Sequence, residues 1–385
     1  MKSDTLTGID VLRREGVASL RGRRVGLVTN HTGLDGEGRA TADLLHGHPD
    51  VRLVALFGPE HGIRGAVDEK VPDGTDKATG LPVYSLYGER TKPTPAQLAG
   101  LDMLVFDIQD VGCRFYTYIS TLGLCMEAAD EAGLPFLVLD RPNPLGGIGI
   151  EGPMADGDRL SFTAHHRIPV RHGLTVGEMA QLFHAEKAEA GKTHRNAPLL
   201  IAHVENWRRG ETWDQTGLTW TNPSPNMRSL TQAYLYPGIG LMEFTNLSVG
   251  RGTDTPFEVV GAPWIDGRQL AHFLNAQNLP GVRFVPIRFT PSASKHAHQA
   301  CGGVNIVIVR RDVFHSLQTG FTIACALRDL YPKAWETARY TTLLANSTTY
   351  AAFTEGATPT QLIHLCAADV RAFRQRSERY RIYGV

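Results

Sequence analysis

Four short apolar runs in the first 150 residues, each ending in a polar cluster, constrain this chain more than any other feature. RRVGLVTN (23–30) runs into Asn30, His31 and Thr32. VRLVALFGPEHG (51–62) runs into Glu60 and His61. LDMLVFDIQDVG (101–112) ends in Asp107 and Asp110, and LPFLVLDRPNPLGG (134–147) in Asp140, Arg141 and Asn143. Each run has the length of a strand and no alternation, the pattern of parallel strands covered on both faces by helices. The spacers fit. GRATADLLHGHPD predicts a short helix. STLGLCMEAADEAGLP predicts a fuller one, with Ser120 or Thr121 as N-cap, a stripe of Leu122, Cys125, Met126 and Ala129, and a stop at Gly133 before Pro135. A fifth unit, RIPVRHGLTVGEMAQLF, carries a capping box from Thr175 to Glu178. Strand alternating with helix predicts an α/β fold: a Rossmann-like, doubly wound, mostly parallel sheet.

In such a sheet, ligands bind outside the carboxyl ends of the strands. All four polar clusters fall at such ends, so the chain loads one edge of one sheet with carboxylates, imidazoles and amides. Glu60 alone reads equally as a helix N-terminal cap; four loaded ends in succession read as a site.

From about residue 196 to 255 the character changes. Trp207, Trp213 and Trp220 fall close together, followed by the loops TNPSPNM (221–227) and EFTNLSVGRGTDTPFE (243–258) around a helix near Leu230. The tryptophans suit packing and sugar stacking equally. Beyond Gly261, GVRFVPIRFTP and GGVNIVIVRR read as strands, with helices at 321–330 and 359–374. The expected organisation is a Rossmann-like catalytic domain over 1–255 and a smaller C-terminal α+β lid domain over 256–385.

Several function classes fall away. Lys+Arg and Asp+Glu number 39 each, which leaves no basic field for nucleic acid. Five scattered cysteines form no C-x-x-C pair and read as free, mostly buried thiols. No run of about 18 apolar residues spans a membrane. MKSDTLTGID lacks an apolar signal core, so the sequence as it stands reads as cytoplasmic, or as periplasmic or secreted if a leader was trimmed. GLDGEG (33–38) fails the spacing of a dinucleotide fingerprint, and there is no G-x-S-x-G elbow. Asp107 and Asp110 are spaced D-x-x-D without further ligands at a characteristic interval, and the HGH, HH and HAH groups read as loop residues, so neither metal nor cofactor is expected. Asn246-Leu247-Ser248 is a formal sequon that reads as a loop motif.

Together, TNHTG at Thr29, GPEHGIRG at Gly58, GTDKATGLPVYSLYG at Gly74, FDIQDVGCRFYTY at Phe106, DRPNPLGG at Asp140, EGPM at Glu151, VRHGLTVGE at Val170, TNPSPNM at Thr221 and NLSVGRGTDTPFEVVGAPW at Asn246 resemble one family over residues 8–385. It is the exo-β-N-acetylmuramidase (NamZ-like, YbbC-like) family. The resemblance implies a glycoside hydrolase releasing N-acetylmuramic acid from the non-reducing ends of peptidoglycan fragments, with its active site in a cleft between two domains. It maps the catalytic carboxylates onto Glu60, Asp107 and Glu243. It suggests substrate contacts at Asn30, His31, His61, Arg64, Asp110, Tyr116, Arg141, Asn143, Asn226, Asn246 and Arg251. Phe244 and Cys113 stand where smaller residues are usual.

Glycoside cleavage needs a carboxylic acid at the leaving oxygen and a second carboxylate across the anomeric carbon. Glu60 is the expected acid, and Glu243 or Asp107 the base or nucleophile. An alternative has the sugar's own 2-acetamido group attack, steadied by an aspartate. The lactyl carboxylate of muramic acid calls for a guanidinium, from Arg64, Arg141 or Arg251. The rival readings are a non-hydrolytic sugar-binding protein on the same scaffold and a nucleotide-dependent enzyme. Oligomeric state is not legible.

Overall fold

The computed structural model describes residues 4–65, 72–193 and 197–385; residues 1–3, 66–71 and 194–196, including the predicted change of character at Asn196, lie outside these. Twelve strands are described: β1 Arg24–Thr29, β2 Arg52–Gly58, β3 Gly74–Thr75, β4 Pro82–Ser85, β5 Met103–Asp107, β6 Phe136–Leu139, β7 Glu151–Met154, β8 Pro169–Arg171, β9 Leu199–Ala202, β10 Val259–Ala262, β11 Val282–Phe289 and β12 Cys301–Ile308.

Seven form one sheet in the order β3-β4-β2-β1-β5-β6-β9, parallel throughout except for β3. Counted along the chain, the six parallel strands lie 3-2-1-4-5-6, the doubly wound order that reverses direction between its first and fourth strands. The reversal falls between β1 and β5, where Thr29 pairs with Asp107. Successive side chains go to opposite faces. Val25, Leu27, Met103 and Val105 pack with the helices Gly8–Arg14 and Thr41–His46, whereas Val28, Leu104 and Phe106 pack with the helices Tyr118–Ala132 and Val176–Glu189. Burial on both faces is why these runs carry no polar alternation.

Three expectations need correction. The helix at Tyr118–Ala132 begins before Ser120, with Thr117 at the N-cap making no side-chain cap bond, and it ends as expected at Gly133, φ +70°. The strand of the fifth unit does not join the main sheet: β8 pairs antiparallel with β7 in a separate hairpin, although Thr175 and Glu178 do form the capping box. The sixth parallel strand is instead β9, in a stretch whose LLIA is too short to stand out beside its loops.

The C-terminal region holds an antiparallel sheet, β10-β12-β11, including both predicted strands, and the helices Ser316–Leu330 and Pro359–Glu378. Its core is continuous with that of the parallel sheet, from Phe57 and Phe106 through Tyr118 and Tyr236 to Phe321 and Phe373. The helices Leu230–Ile239 and Ser316–Leu330 touch at two glycines; a Cβ on Gly320 would lie 2.5 Å from the Gly238 carbonyl oxygen. Just past the end of the first helix, Gly240 lies against Phe115 of the loop after β5, where a Cβ would be 2.7 Å from the ring. Arg114 is fully buried and donates to the carbonyls of Pro153, Ile168, Leu343 and Leu344 at 2.7–3.1 Å, tying the two regions together; burial lowers its pKa to about 10.

The chain returns to the sheet at Tyr383, whose hydroxyl donates to Asp140 Oδ2 at 2.5 Å; Asp140 also accepts from Gly177 N and Thr175 Oγ1. Burial nevertheless dominates and raises the Asp140 carboxyl to about 6. Because the folded state then holds this proton more tightly than the unfolded chain, the group's contribution to stability is largest in acid and declines as pH rises from about 4 to about 6. The wild-type melting temperature, measured relative to that of Asp140→Asn, is therefore expected to fall across this interval. A flat difference would refute the assignment.

Candidate active site

The turn after β2 explains how Glu60 is presented. The Gly62 N–H donates to the Pro59 carbonyl at 3.0 Å, and His61 lies at φ +71°, where a type II turn requires left-handed backbone. Glu60 occupies the outer corner, half-buried, and its Oε2 accepts from Thr117 Oγ1 at 3.0 Å. Thr117 opens the long helix after β5, so the segments that follow β2 and β5, the two strands flanking β1, fix the carboxylate.

From Thr117 a row of rings crosses to the other carboxylate. Tyr118 meets Tyr116 at 4.9 Å, Tyr116 meets Tyr236 at 5.9 Å and Tyr236 meets Phe257 at 4.7 Å, all edge-on. The Arg251 guanidinium lies 6.0 Å from the Phe257 ring centroid and pairs with Glu243 at 2.6 Å. The buried Tyr236 hydroxyl is pushed well above its usual range, first by desolvation and then by the fields of Glu243 and, more weakly, Glu60. Tyr118 is raised by burial and senses Glu60 and Asp110. Glu60, Asp110 and Glu243, from three distant parts of the chain, thus gather along one aromatic wall over the switch point.

The remaining expected residues divide by what already holds them. Asn30 and His31 follow β1. The Asn30 Oδ1 accepts from Thr32 N and Oγ1 at 2.9 and 2.6 Å, and His31 Nε2 meets the Asn222 carbonyl at 2.7 Å. Burial, helped by nearby His61, lowers the His31 pKa against the pull of that carbonyl. His61, Tyr116 and Asn226 are buried. Asp110 accepts from Gly112 N at 2.7 Å and lies 3.3 Å from His172 Nε2.

Asp107 stands apart. It is fully buried, held by Arg141 at 2.6 and 2.9 Å and by Thr41 Oγ1 at 2.5 Å. Arg64 is engaged by Asp43 and Asp76. Asn143 braces its own loop through Leu145 N and the Leu174 carbonyl. Asn246 bridges to the Ala334 carbonyl and Glu336 N. Of the tryptophans, Trp207 and Trp213 are packed inside, and Trp220 is half-buried, edge-on to Trp213.

Sequence reasoning passed over Thr117, Tyr118, His172 and Tyr236. All four lie in or near the loops and helices facing the site, and His172 was already inside the VRHGLTVGE motif. Among the described residues no group of three or more His, Cys, Asp or Glu forms a metal-type cluster, and no helix is long and apolar enough to cross a membrane. All five cysteines are free and buried.

Carboxylates on separate loops, joined by an aromatic wall above the switch point of a doubly wound sheet, define an α/β protein with an acid-bearing site of the kind that glycoside cleavage requires. The chain belongs to the exo-β-N-acetylmuramidase NamZ family: the family's N-terminal model matches residues 25–231 and its C-terminal model residues 234–383. Glu60 falls in the first and Glu243 in the second. The chain is 42% identical over 387 residues to the peptidoglycan β-N-acetylmuramidase NamZ of Bacillus subtilis (strain 168), covering 99% of this chain and 92% of that protein. It is also similar to two crystal structures of DUF1343 family proteins from Bacteroides fragilis NCTC 9343. One is 37% identical with a TM-score of 0.92 and the other 28% identical with 0.81, each match covering 99% of both chains.

Proposed function

We propose that the chain is an exo-acting β-N-acetylmuramidase that removes terminal N-acetylmuramic acid from the non-reducing end of peptidoglycan fragments, taking muramyl-glucosaminyl saccharides or muropeptides. The observation that carries this reading is the unbroken row of contacts between the two acids, from Glu60 on Thr117 through the rings of Tyr118, Tyr116, Tyr236 and Phe257 to Arg251 on Glu243. Glu60 is the acid for the leaving oxygen. Thr117 fixes one of its oxygens. Glu243, oriented by Arg251, is the base or nucleophile. Asp107, enclosed by Arg141 and Thr41, supports the strand ends and does not touch sugar.

Incubation with a muramyl-glucosaminyl disaccharide, followed by NMR of the anomeric proton, tests the reading. Release of N-acetylmuramic acid is expected, and the first anomer formed separates retention from inversion. An intact disaccharide would refute it.

Arg64 and Arg141 pair with Asp43, Asp76 and Asp107, none of them on the aromatic wall, whereas Arg251 pairs with Glu243 beside that wall and is the guanidinium placed to meet the lactyl carboxylate as well. A charge-assisted hydrogen bond of this kind is worth about 1.5–3 kcal/mol, so Arg251→Met should raise KM for a muramyl substrate at least roughly tenfold more than for the glucosaminyl analogue. Equal effects on both would remove Arg251 from specificity.

A further inference from the structure

The closed ends of β1 and β5 contain buried polar groups whose hydrogen-bonding capacity the fold leaves partly unused. Asp110 is 5% exposed and Asn30 3% exposed. Asp110 Oδ2 is bound by Gly112 N, but Oδ1 has no partner; Asn30 Oδ1 is bound twice by Thr32, and its amide nitrogen, which carries two N–H groups, meets only the Tyr118 hydroxyl. The Tyr116 hydroxyl lies against Ser224 and Tyr118. These atoms lie together. Thr32 Oγ1 donates to Asn30 Oδ1 and accepts from Gln109 N, the residue before Asp110. Tyr118 lies among Asn30, Asp110 and Glu60. The 221–227 loop straps the set from outside, with the Tyr118 hydroxyl donating to the Pro223 carbonyl at 2.6 Å and His31 Nε2 on the Asn222 carbonyl at 2.7 Å.

A buried acceptor or donor left unmade costs about 1–3 kcal/mol, so two on adjacent strand ends call for a partner. One sugar substituent supplies both complements and an apolar end: an acetamido group, with one N–H donor, one carbonyl acceptor and a methyl. Resting on the hydrolase reading above, we propose that Asp110 and Asn30 form the pocket for the 2-acetamido group. Asp110 Oδ1 accepts its N–H, Asn30 Nδ2 donates to its carbonyl, and the edges of Tyr116 and Tyr118 receive the methyl. Asp110 and Asn30 thereby set the ring's position relative to Glu60, with His172 Nε2 3.3 Å from the other Asp110 oxygen, Oδ2. The set reads the 2-substituent, a task separate from reading the lactyl group.

The test uses calorimetric binding of two ligands that share the lactyl ether: N-acetylmuramic acid and 3-O-lactylglucose, which carries a 2-hydroxyl. Wild type should prefer the first by roughly 100-fold, the equivalent of two satisfied hydrogen bonds. Asp110→Asn places a donor where the acceptor stood, and Asn30→Asp does the reverse with little change of shape. Each should cut the preference about tenfold or more and leave lactylglucose binding near wild type; Asp110→Asn should keep the melting temperature, whereas Asn30→Asp buries a second carboxylate beside Asp110 and should lower it. A wild-type ratio near one, or variants that weaken both ligands equally, would overturn the proposal and leave the atoms to internal water. If one variant fails to fold, the other and the wild-type ratio still decide. A protein with the expected ratio that releases no sugar from a disaccharide would refute the hydrolase reading and leave the pocket standing; hydrolysis without the ratio would do the opposite.

Discussion

Glu60→Gln is expected to lower disaccharide turnover by roughly 10²–10⁴-fold, the range that a positioned general acid contributes. The amide preserves the shape of the side chain, and its carbonyl oxygen still accepts from Thr117, so the melting temperature should match wild type. It carries no proton to give to the departing glucosaminyl oxygen. The loss should therefore depend on the leaving group. An aryl muramide whose phenolate departs unaided should lose much less than the disaccharide, because little protonation is needed in its transition state. If Glu60 were instead the nucleophile, both substrates would lose activity alike. Full disaccharide activity in the variant would remove Glu60 from the chemistry altogether.

The second large effect separates a supporting carboxylate from a reacting one. Asp107 and Arg141 have side-chain exposures of 0% and 4%. Arg141→Met strands a buried charge and should destabilise the protein by about 3–5 kcal/mol, a large part of a typical folding stability. Replacing the pair together, as Asp107→Leu with Arg141→Met, removes both charges and should recover much of that loss, because apolar side chains avoid the desolvation that the ion pair carries. Denaturant melts of the two variants check the expectation. The double variant, once folded, should cleave the disaccharide at a rate within about an order of magnitude of wild type. A folded but inactive double variant would return Asp107 to the catalytic group and displace Glu243.

The contrast between these two acids shows where reading the sequence succeeds and where it stops. Glu60 and Asp107 looked alike on the page: each ends an apolar run, and each sits in a motif of the same family resemblance. The turn chemistry around Glu60 was legible, since Gly-Pro before it and Gly after His61 set a tight corner. Nothing local said that Asp107 would be closed over by an arginine 34 positions later and a threonine 66 positions earlier. Arg64 and Asn246 behave in the same manner: both are polar residues inside motif loops whose hydrogen-bond partners lie on other elements. β9 was missed because four residues of modest hydrophobicity become a strand only when the edge of β6 is there to pair with them.

What the sequence by itself determined is the kind of sheet and the side of it that carries the chemistry. Uninterrupted apolar runs must be covered on both faces, short helical spacers force parallel strands, and parallel strands all end on one side. Tertiary structure alone decided which of the polar groups gathered there are held inside the fold and which face the aromatic wall. That choice depends on contacts between residues tens to hundreds of positions apart, and a buried charge is tolerable only where such a contact neutralises it.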